Sequence, residues 1–272
     1  MANYPVMGRI TSYVALGDSF TEGLEDPAEY GFRGWADRLA EHIAADNAES
    51  GNLGARQPGL RYANLAVRGR LIDQIVAEQV PKAVELGADL VSLCAGGNDI
   101  LRPGSGPASV ARRLEQGVRT LTEAGSRVLM FTGFDLRHVP VMRLAHSKIE
   151  VYNLHIHDIA RRYDALLVDL WPMPVLRDPR AWNADRLHLS PDGHRRVALR
   201  AAEVLGVPVG EDWREAYPVR RPPVWTAARR EDLRWARTYL GPWIGRRINR
   251  RSSGDGVLPK RPDLAPLTTA DH

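Results

Sequence analysis

Four short segments of this 272-residue chain carry residue types that could do chemistry together. Gly17-Asp18-Ser19-Phe20 places a serine directly after a glycine turn, where a following turn or helix would aim backbone N–H groups back at its hydroxyl. Asn64-Leu65-Ala66-Val67-Arg68-Gly69 ends on a glycine whose N–H can approach a ligand closely. Gly96-Gly97-Asn98-Asp99 offers a carboxamide NH2 that can point at a developing oxyanion, a donor worth on the order of 10²–10³ in rate in a comparable enzyme. Asp185-Arg186-Leu187-His188 sets a carboxylate three residues before an imidazole. On a turn of helix those two positions share a face. The carboxylate can then fix the tautomer of His188 and leave its other ring nitrogen facing Ser19. Each segment also has a plainer reading. Asp-Ser is a common helix start, Gly69 a turn glycine, Gly-Asn-Asp a turn, and a lone histidine is more often structural. Asp99 reads as a residue that holds its loop.

The elements that must position these segments alternate between short apolar runs and longer helical patterns. Ser12–Gly17, Leu60–Ala66, Asp89–Gly96, Arg127–Phe134 and Ala165–Leu170 read as five strands. Between them, helical periodicity runs from Trp35 to Ala45, from Leu71 to Leu86 with a break or bend at Pro81, from Pro107 to Ala124 and from Val141 to Tyr163. Near-continuous apolar strands mean that both sheet faces are covered. The alternation predicts a parallel sheet in a doubly wound α/β layer structure, with sites at the carboxyl ends of the strands. Three of the four segments end strands one, two and three; the fourth follows strand five. A last helix starts cleanly, with Ser190 as cap and Pro191 in the first position, and runs to Leu205.

Composition bounds the rest. With 44% apolar residues, the chain can bury a full core without cross-links. A single cysteine, Cys94, excludes an internal disulfide framework. The first twenty residues carry no secretory pattern, no run of 18 apolar residues spans a membrane, and the cytoplasm is the default compartment. The net charge of +4 is unevenly placed: residues 220–251 hold ten arginines against Glu231 and Asp232, a local balance of +8, which leaves −3 on the first 219 residues. We therefore divide the chain into a core domain over 1–210, a basic, Trp-rich helical appendage over 211–249, and an irregular or disordered tail over 250–272.

Taken in order, the four segments resemble the SGNH hydrolases, also called GDSL lipases or esterases. The first reads GDSFTEG, with Phe20 where leucine often stands; the second supplies Gly69; the third is GGND; the last is DRLHLSPDGH. Any one is weak, but four in order over Gly17–His194 are specific. The resemblance implies a flavodoxin-like three-layer α/β/α sandwich with a five-stranded parallel sheet. It implies a triad of Ser19, His188 and Asp185, and an oxyanion hole from the Ser19 and Gly69 N–H groups with the Asn98 side chain. Asp18 would brace the nucleophile turn. The expected activity is serine-dependent hydrolysis of carboxylic esters of short or medium acyl groups, with no cofactor and no metal. The alternative is a catalytically inactive protein of the same fold that binds an anionic partner through its Arg/Trp tail.

Other signals weigh less. His194, on the last helix, reads as structural. His155 and His157 cannot share a helix face at that spacing, so they are not read as metal ligands. Cys94, within an apolar run, reads as a buried core thiol. The chain lacks a GxSxG elbow, GxGxxG or a P-loop. Arg68 and Arg70 read as surface charge, with the sharper alternative that Arg68 contacts an anionic group of the substrate. Phe20, Phe134 and Trp182 belong either to an acyl pocket or to the core. Trp225, Trp235, Tyr239 and Trp243 read as aromatics docked on the body with arginines outward; the alternative is an interface for an anionic membrane or nucleic acid. Nucleic acid is not an expected partner; a small-molecule ester is.

Overall fold

The computed structural model describes residues 9–29, 31–50, 59–137, 139–219, 225–242 and 252–267. Six strands form one sheet: β1 (Ser12–Gly17), β2 (Arg61–Asn64), β3 (Leu90–Cys94), β4 (Arg127–Phe131), β5 (Leu166–Val168) and β6 (Arg261–Pro266), in the order β5-β4-β3-β1-β2-β6. The first five are mutually parallel, as their uninterrupted apolar runs predict. The sixth pairs antiparallel with β2, so the sheet is mixed and six-stranded, not five-stranded and parallel.

β6 comes from the segment read as an irregular tail. Its sequence, RPDLAP, has two prolines and no hydrophobic alternation. Proline removes a ladder donor and is therefore tolerated only at a sheet edge, which is where this strand lies. A register shift between Tyr62 and Asn64 accommodates the mismatch. Lys260 anchors the strand's start, donating to the Glu22 and Phe32 carbonyls (2.7 and 2.9 Å) and to Asp37 Oδ2 (2.6 Å).

Two hydrophobic clusters cover the two faces. On one, α2 (Trp35–Ser50) and α8 (Pro191–Leu205) pack against Tyr13, Ala15, Tyr62 and Leu129. On the other, Val14, Leu16, Val91, Val128 and Met130 meet α3 (Ile72–Gln74), α4 (Val80–Leu86), α6 (Pro107–Glu123) and α7 (His146–Arg162). Alternate residues of each strand thus serve opposite layers. α8 begins as expected: Ser190 Oγ accepts the Gly193 N–H at 3.2 Å, and the helix ends on Gly206 at φ 70°. The helix expected over Val141–Tyr163 is split into a 3₁₀ turn over Pro140–Ala145, followed by α7.

Pro81 distorts its helix one turn earlier than a simple kink would. A π-turn over Ile75–Gln79 joins α3 to α4, and the Val80 N–H bonds the Ile75 carbonyl. Pro81 has no N–H to give, and the wider turn absorbs the missing bond. In the appendage, residues 211–219 are non-helical, and α9 (Trp225–Trp235) continues as a π-turn over Ala236–Leu240. Trp243 and the Trp225 side chain lie outside the described residues.

Candidate active site

The chain leaves β1, forms β2 on one side, then crosses to form β3 on the other side of β1. That reversal opens a crevice at the carboxyl ends of β1 and β3, where ligands bind in open α/β sheets. Ser19 emerges from the first of these strands and Asn98 from the second.

The β1 exit is tightly built. A Cβ on Gly17 would fall 2.6 Å from the Cys94 carbonyl and 2.5 Å from Thr21 Oγ1, so only glycine lets the two strand ends come together. Gln79 grips Gly17 from the opposite layer: its Oε1 accepts the Gly17 N–H at 2.8 Å and its Nε2 donates to the Gly17 carbonyl at 2.9 Å. Asp18 then caps α1 (Ser19–Glu22), its Oδ1 accepting the Phe20 N–H at 3.1 Å, and Ser19 is the first helical residue.

His188 comes from a loop, not from the helical turn that the spacing suggested. Asp185 Oδ1 accepts the Leu187 and His188 N–H groups, both at 3.0 Å, and so folds the loop around its own carboxylate. The other oxygen, Oδ2, lies 2.5 Å from His188 Nδ1, and His188 Nε2 lies 3.1 Å from Ser19 Oγ. Burial alone would raise the Asp185 carboxyl, but the hydrogen bonds and charge of His188 outweigh it and hold the group below the ordinary carboxylate range. Arg186 takes φ 57°, a left-handed conformation uncommon for a residue other than glycine. The appendage stabilises it: Asp232 of α9 pairs with Arg186 at 2.6 Å, Arg186 stacks 5.1 Å over the Trp235 ring, and Trp235 Nε1 donates to the Asp185 carbonyl at 2.8 Å. Trp235 is only 6% exposed. Tyr239, by contrast, remains partly open to solvent.

Asn98 lies in α5 (Gly97–Ile100) and faces the same cavity as Ser19 and His188. Its Nδ2 donates to Asp18 Oδ2 at 3.0 Å and to the Arg70 carbonyl at 3.2 Å. Asp99 holds the neighbouring helix, accepting the Ile72 N–H at 2.9 Å. Gly69, at φ 72°, follows β2 and packs under the tail; a Cβ there would lie 2.3 Å from Ser252 Oγ. It does not line the cavity. Arg68 is not among the residues that line the cavity with Ser19. Its guanidinium pairs with Glu22, its backbone N–H donates to the same carboxylate, and its charge lies over the Phe32 ring.

Burial pushes the Asp18 carboxyl up to about 6, against the Phe20 N–H and the His188 charge, which pull it down. A carboxyl raised in the folded state contributes stability below its unfolded value near 4, and that contribution is lost as pH rises through 6. Asp18→Asn removes this charge but sets an NH2 against the Asn98 NH2 that Oδ2 now accepts, so its signature is the pH dependence: from pH 4 to pH 8 the stability difference should shift in the variant's favour by on the order of 2 kcal/mol, roughly 5 °C in Tm. Thermal melts at the two pH values check this; equal shifts at both would reject a buried charge as the cause.

The remaining histidines and the cysteine have other surroundings. His194 accepts the Trp35 N–H at Nδ1 (3.2 Å), its Nε2 faces the Leu24 carbonyl, and burial pushes its pKa down to about 3, so it is a neutral core residue. His157 Nε2 lies 3.5 Å from Asp169. Among the described residues no group of three or more His, Cys, Asp or Glu is arranged to hold a metal ion. Cys94 closes β3 and forms part of the cavity wall instead of lying within the core, and burial raises its thiol well above the ordinary range.

Three residues of this site escape motif reading. Gln79 had one signal: it sits on the apolar stripe of its helix, four residues from both Ile75 and Ala83, which are buried. For Trp235, which the sequence reads as docked on the body, it is the partner that is hidden, the Asp185 carbonyl 50 residues away, and Lys260, which reaches Asp37 across the chain, carries no local signal.

The model of the GDSL-like lipase/acylhydrolase family matches residues 15–196. Among solved structures, Axe2, an acetylxylan esterase from Geobacillus stearothermophilus, is 19% identical, with a TM-score of 0.59 over 78% of this chain and 100% of that one. A GDSL-like lipase structure from Parabacteroides merdae is 14% identical, with a TM-score of 0.63 over 74% and 98% of the two chains. LAE5, an α/β hydrolase from the metagenome of Lake Arreo, is 19% identical, with a TM-score of 0.60 over 74% and 98%. No curated protein matches. Among the described residues no helix is long and apolar enough to cross a membrane. At these identities the solved structures speak for the fold, while the family match spans the strand ends, the Asn98 turn and the Asp185–His188 loop: the chain belongs to the GDSL-like lipase/acylhydrolase family and is a carboxylic ester hydrolase.

Proposed function

We propose that the protein hydrolyses short- or medium-chain carboxylic esters through an acyl-enzyme, with Ser19 as nucleophile, His188 as general base and Asp185 as the group that orients His188. The observation that carries this reading is the unbroken row from Asp185 Oδ2 to His188 Nδ1 (2.5 Å) and from His188 Nε2 to Ser19 Oγ (3.1 Å). His188 takes the hydroxyl proton as Oγ attacks the ester carbonyl, and the imidazolium is stabilised by the Asp185 carboxylate. The oxyanion is received by the Ser19 N–H and by Asn98, whose NH2 must turn from Asp18 or the Arg70 carbonyl to reach it; Gly69, outside the cavity lining, is given no part. The imidazolium protonates the departing alcohol. Water, deprotonated by His188, then attacks the acyl carbon and frees Ser19. No step calls for a cofactor. A lone thiol suits a reducing compartment, and we place the enzyme in the cytoplasm.

The reading of an inactive protein that uses its tail to bind an anionic partner is less well supported. Trp235 and Asp232 are turned inward onto the Asp185 loop, which favours a positioning role for α9. A fluorophosphonate should label the folded protein at Ser19, and mass analysis of the labelled peptide reads the site directly. Failure to label, or labelling elsewhere, would refute the reading.

A further inference from the structure

Behind Ser19 lies a cavity of about 170 Å³ that the chemistry itself does not need. Its wall is formed by Phe20, Phe131 and Phe134 with Trp182, Ile149 and Ile156, while Asp18, Asn98 and His188 border it beside Ser19. The aromatic wall is braced: Phe134 meets Phe20 edge-on at 5.1 Å and Trp182 edge-on at 5.0 Å. The polar groups farther along the wall are already engaged. Tyr152 Oη donates to the Ala95 carbonyl at 2.9 Å, and Thr132 Oγ1 donates to Asp169 and accepts the Leu170 N–H. His194 is neutral and held from both ring nitrogens. A sugar or a charged group would find no partner there, and a hydrocarbon would lose nothing by entering.

We propose that this cavity is the acyl chamber and that the preferred substrates are esters of unbranched acids of about six to eight carbons, not acetyl esters. The proposal rests on Ser19 being the nucleophile. Ile149 and Ile156 are seven residues apart on α7, so the wall they share is about 10.5 Å long. A carbon–carbon bond of about 1.5 Å advances a zigzag chain by roughly 1.25 Å, which gives about eight carbons. An acetyl group would stop at the mouth and leave the apolar wall uncovered. Each added methylene should raise kcat/KM roughly fourfold until the chamber is full, so the six methylenes by which octanoate exceeds acetate should be worth on the order of 10³-fold, and longer chains should gain nothing further.

A series of p-nitrophenyl esters from acetate to laurate, run beside alkyl acetates from ethyl to octyl, tests this on the full chain. A rise to octanoate in the first series with a flat second series supports the proposal. A preference for acetate, or a rise in the alkyl acetates alone, overturns it, the latter assigning the cavity to the alcohol. Ile156→Phe and, at the more accessible end, Ile149→Phe should each lower the octanoate-to-acetate ratio at least tenfold in protein whose melting matches the parent. An unchanged ratio in both also overturns it. Labelling of Ser19 by ethyl fluorophosphonate separates the two readings: labelled protein that prefers acetate loses only the acyl chamber, whereas unlabelled folded protein loses the nucleophile as well.

Discussion

Alanine at Ser19 or at His188 should slow ester hydrolysis by on the order of 10⁶-fold, and the double variant should be no slower than either single one. The expectation follows from the contact of His188 Nε2 with Ser19 Oγ at 3.1 Å. Without the imidazole, the serine proton has no acceptor placed to receive it, and an alcohol at neutral pH is a poor nucleophile. Without the serine, the imidazole has no hydroxyl to activate. Both changes remove one step, so their costs overlap instead of adding. The residual rate, on the order of 10³–10⁴ over water in a comparable triad, comes from the oxyanion donors and binding. Both side chains lie at the cavity border and support no core cluster, so the variants should melt like the parent. Turnover of a p-nitrophenyl ester by the three variants, matched by circular dichroism and Tm, reads the cycle. Losses that multiply in the double variant would mean that the two residues act independently and that the row has no chemical meaning.

How far the sequence alone reaches can be seen by following single residues into the structure. Ser19, Asn98 and the Asp185–His188 pair are legible because each sits where a strand or a strand-adjacent loop must end, and the doubly wound topology brings such ends to one rim. The five parallel strands are legible because a strand buried on both faces reads as an unbroken apolar run. β6 is not, because an edge strand is half solvated and stands on backbone pairing to β2 that its side chains do not announce. The shape of the Asp185 loop is also hidden. The i, i+3 spacing fits a helical turn and an Asx-type loop equally well, and what decides between them is Arg186 in a left-handed conformation, held by Asp232 and Trp235 from α9. The pairing of Arg68 is hidden for a related reason: its nearness to Gly69 in sequence says nothing of Glu22, which claims its charge from a different element. Local chemistry is written locally, but which side chain satisfies which charge is a property of the packed molecule.

Asp185→Asn offers the sharpest separation between orienting His188 and merely filling space beside it. In the native loop Asp185 Oδ1 accepts two backbone N–H groups, from Leu187 and His188, each at 3.0 Å. A carboxamide at this position must keep its oxygen on those two donors, since turning its NH2 toward them would set donor against donor. The NH2 is therefore left facing His188 Nδ1, where Oδ2 now lies at 2.5 Å. It can only donate. Nδ1 becomes an acceptor, the ring proton moves to Nε2, and Nε2 can no longer take the Ser19 proton. The fold should survive, because size, loop bonds and the Trp235 contact to the Asp185 carbonyl are all retained. The expected loss in kcat is on the order of 10⁴-fold, by analogy with the same change in another triad. The ring ¹⁵N shifts of His188 should report the proton on Nε2 in the variant and on Nδ1 in the parent. A variant within tenfold of the parent rate, or with its proton still on Nδ1, would show that Asp185 does not set the tautomer. The negative charge itself would then have to be sought as the source of any remaining effect, by comparing the pH dependence of kcat in the two proteins.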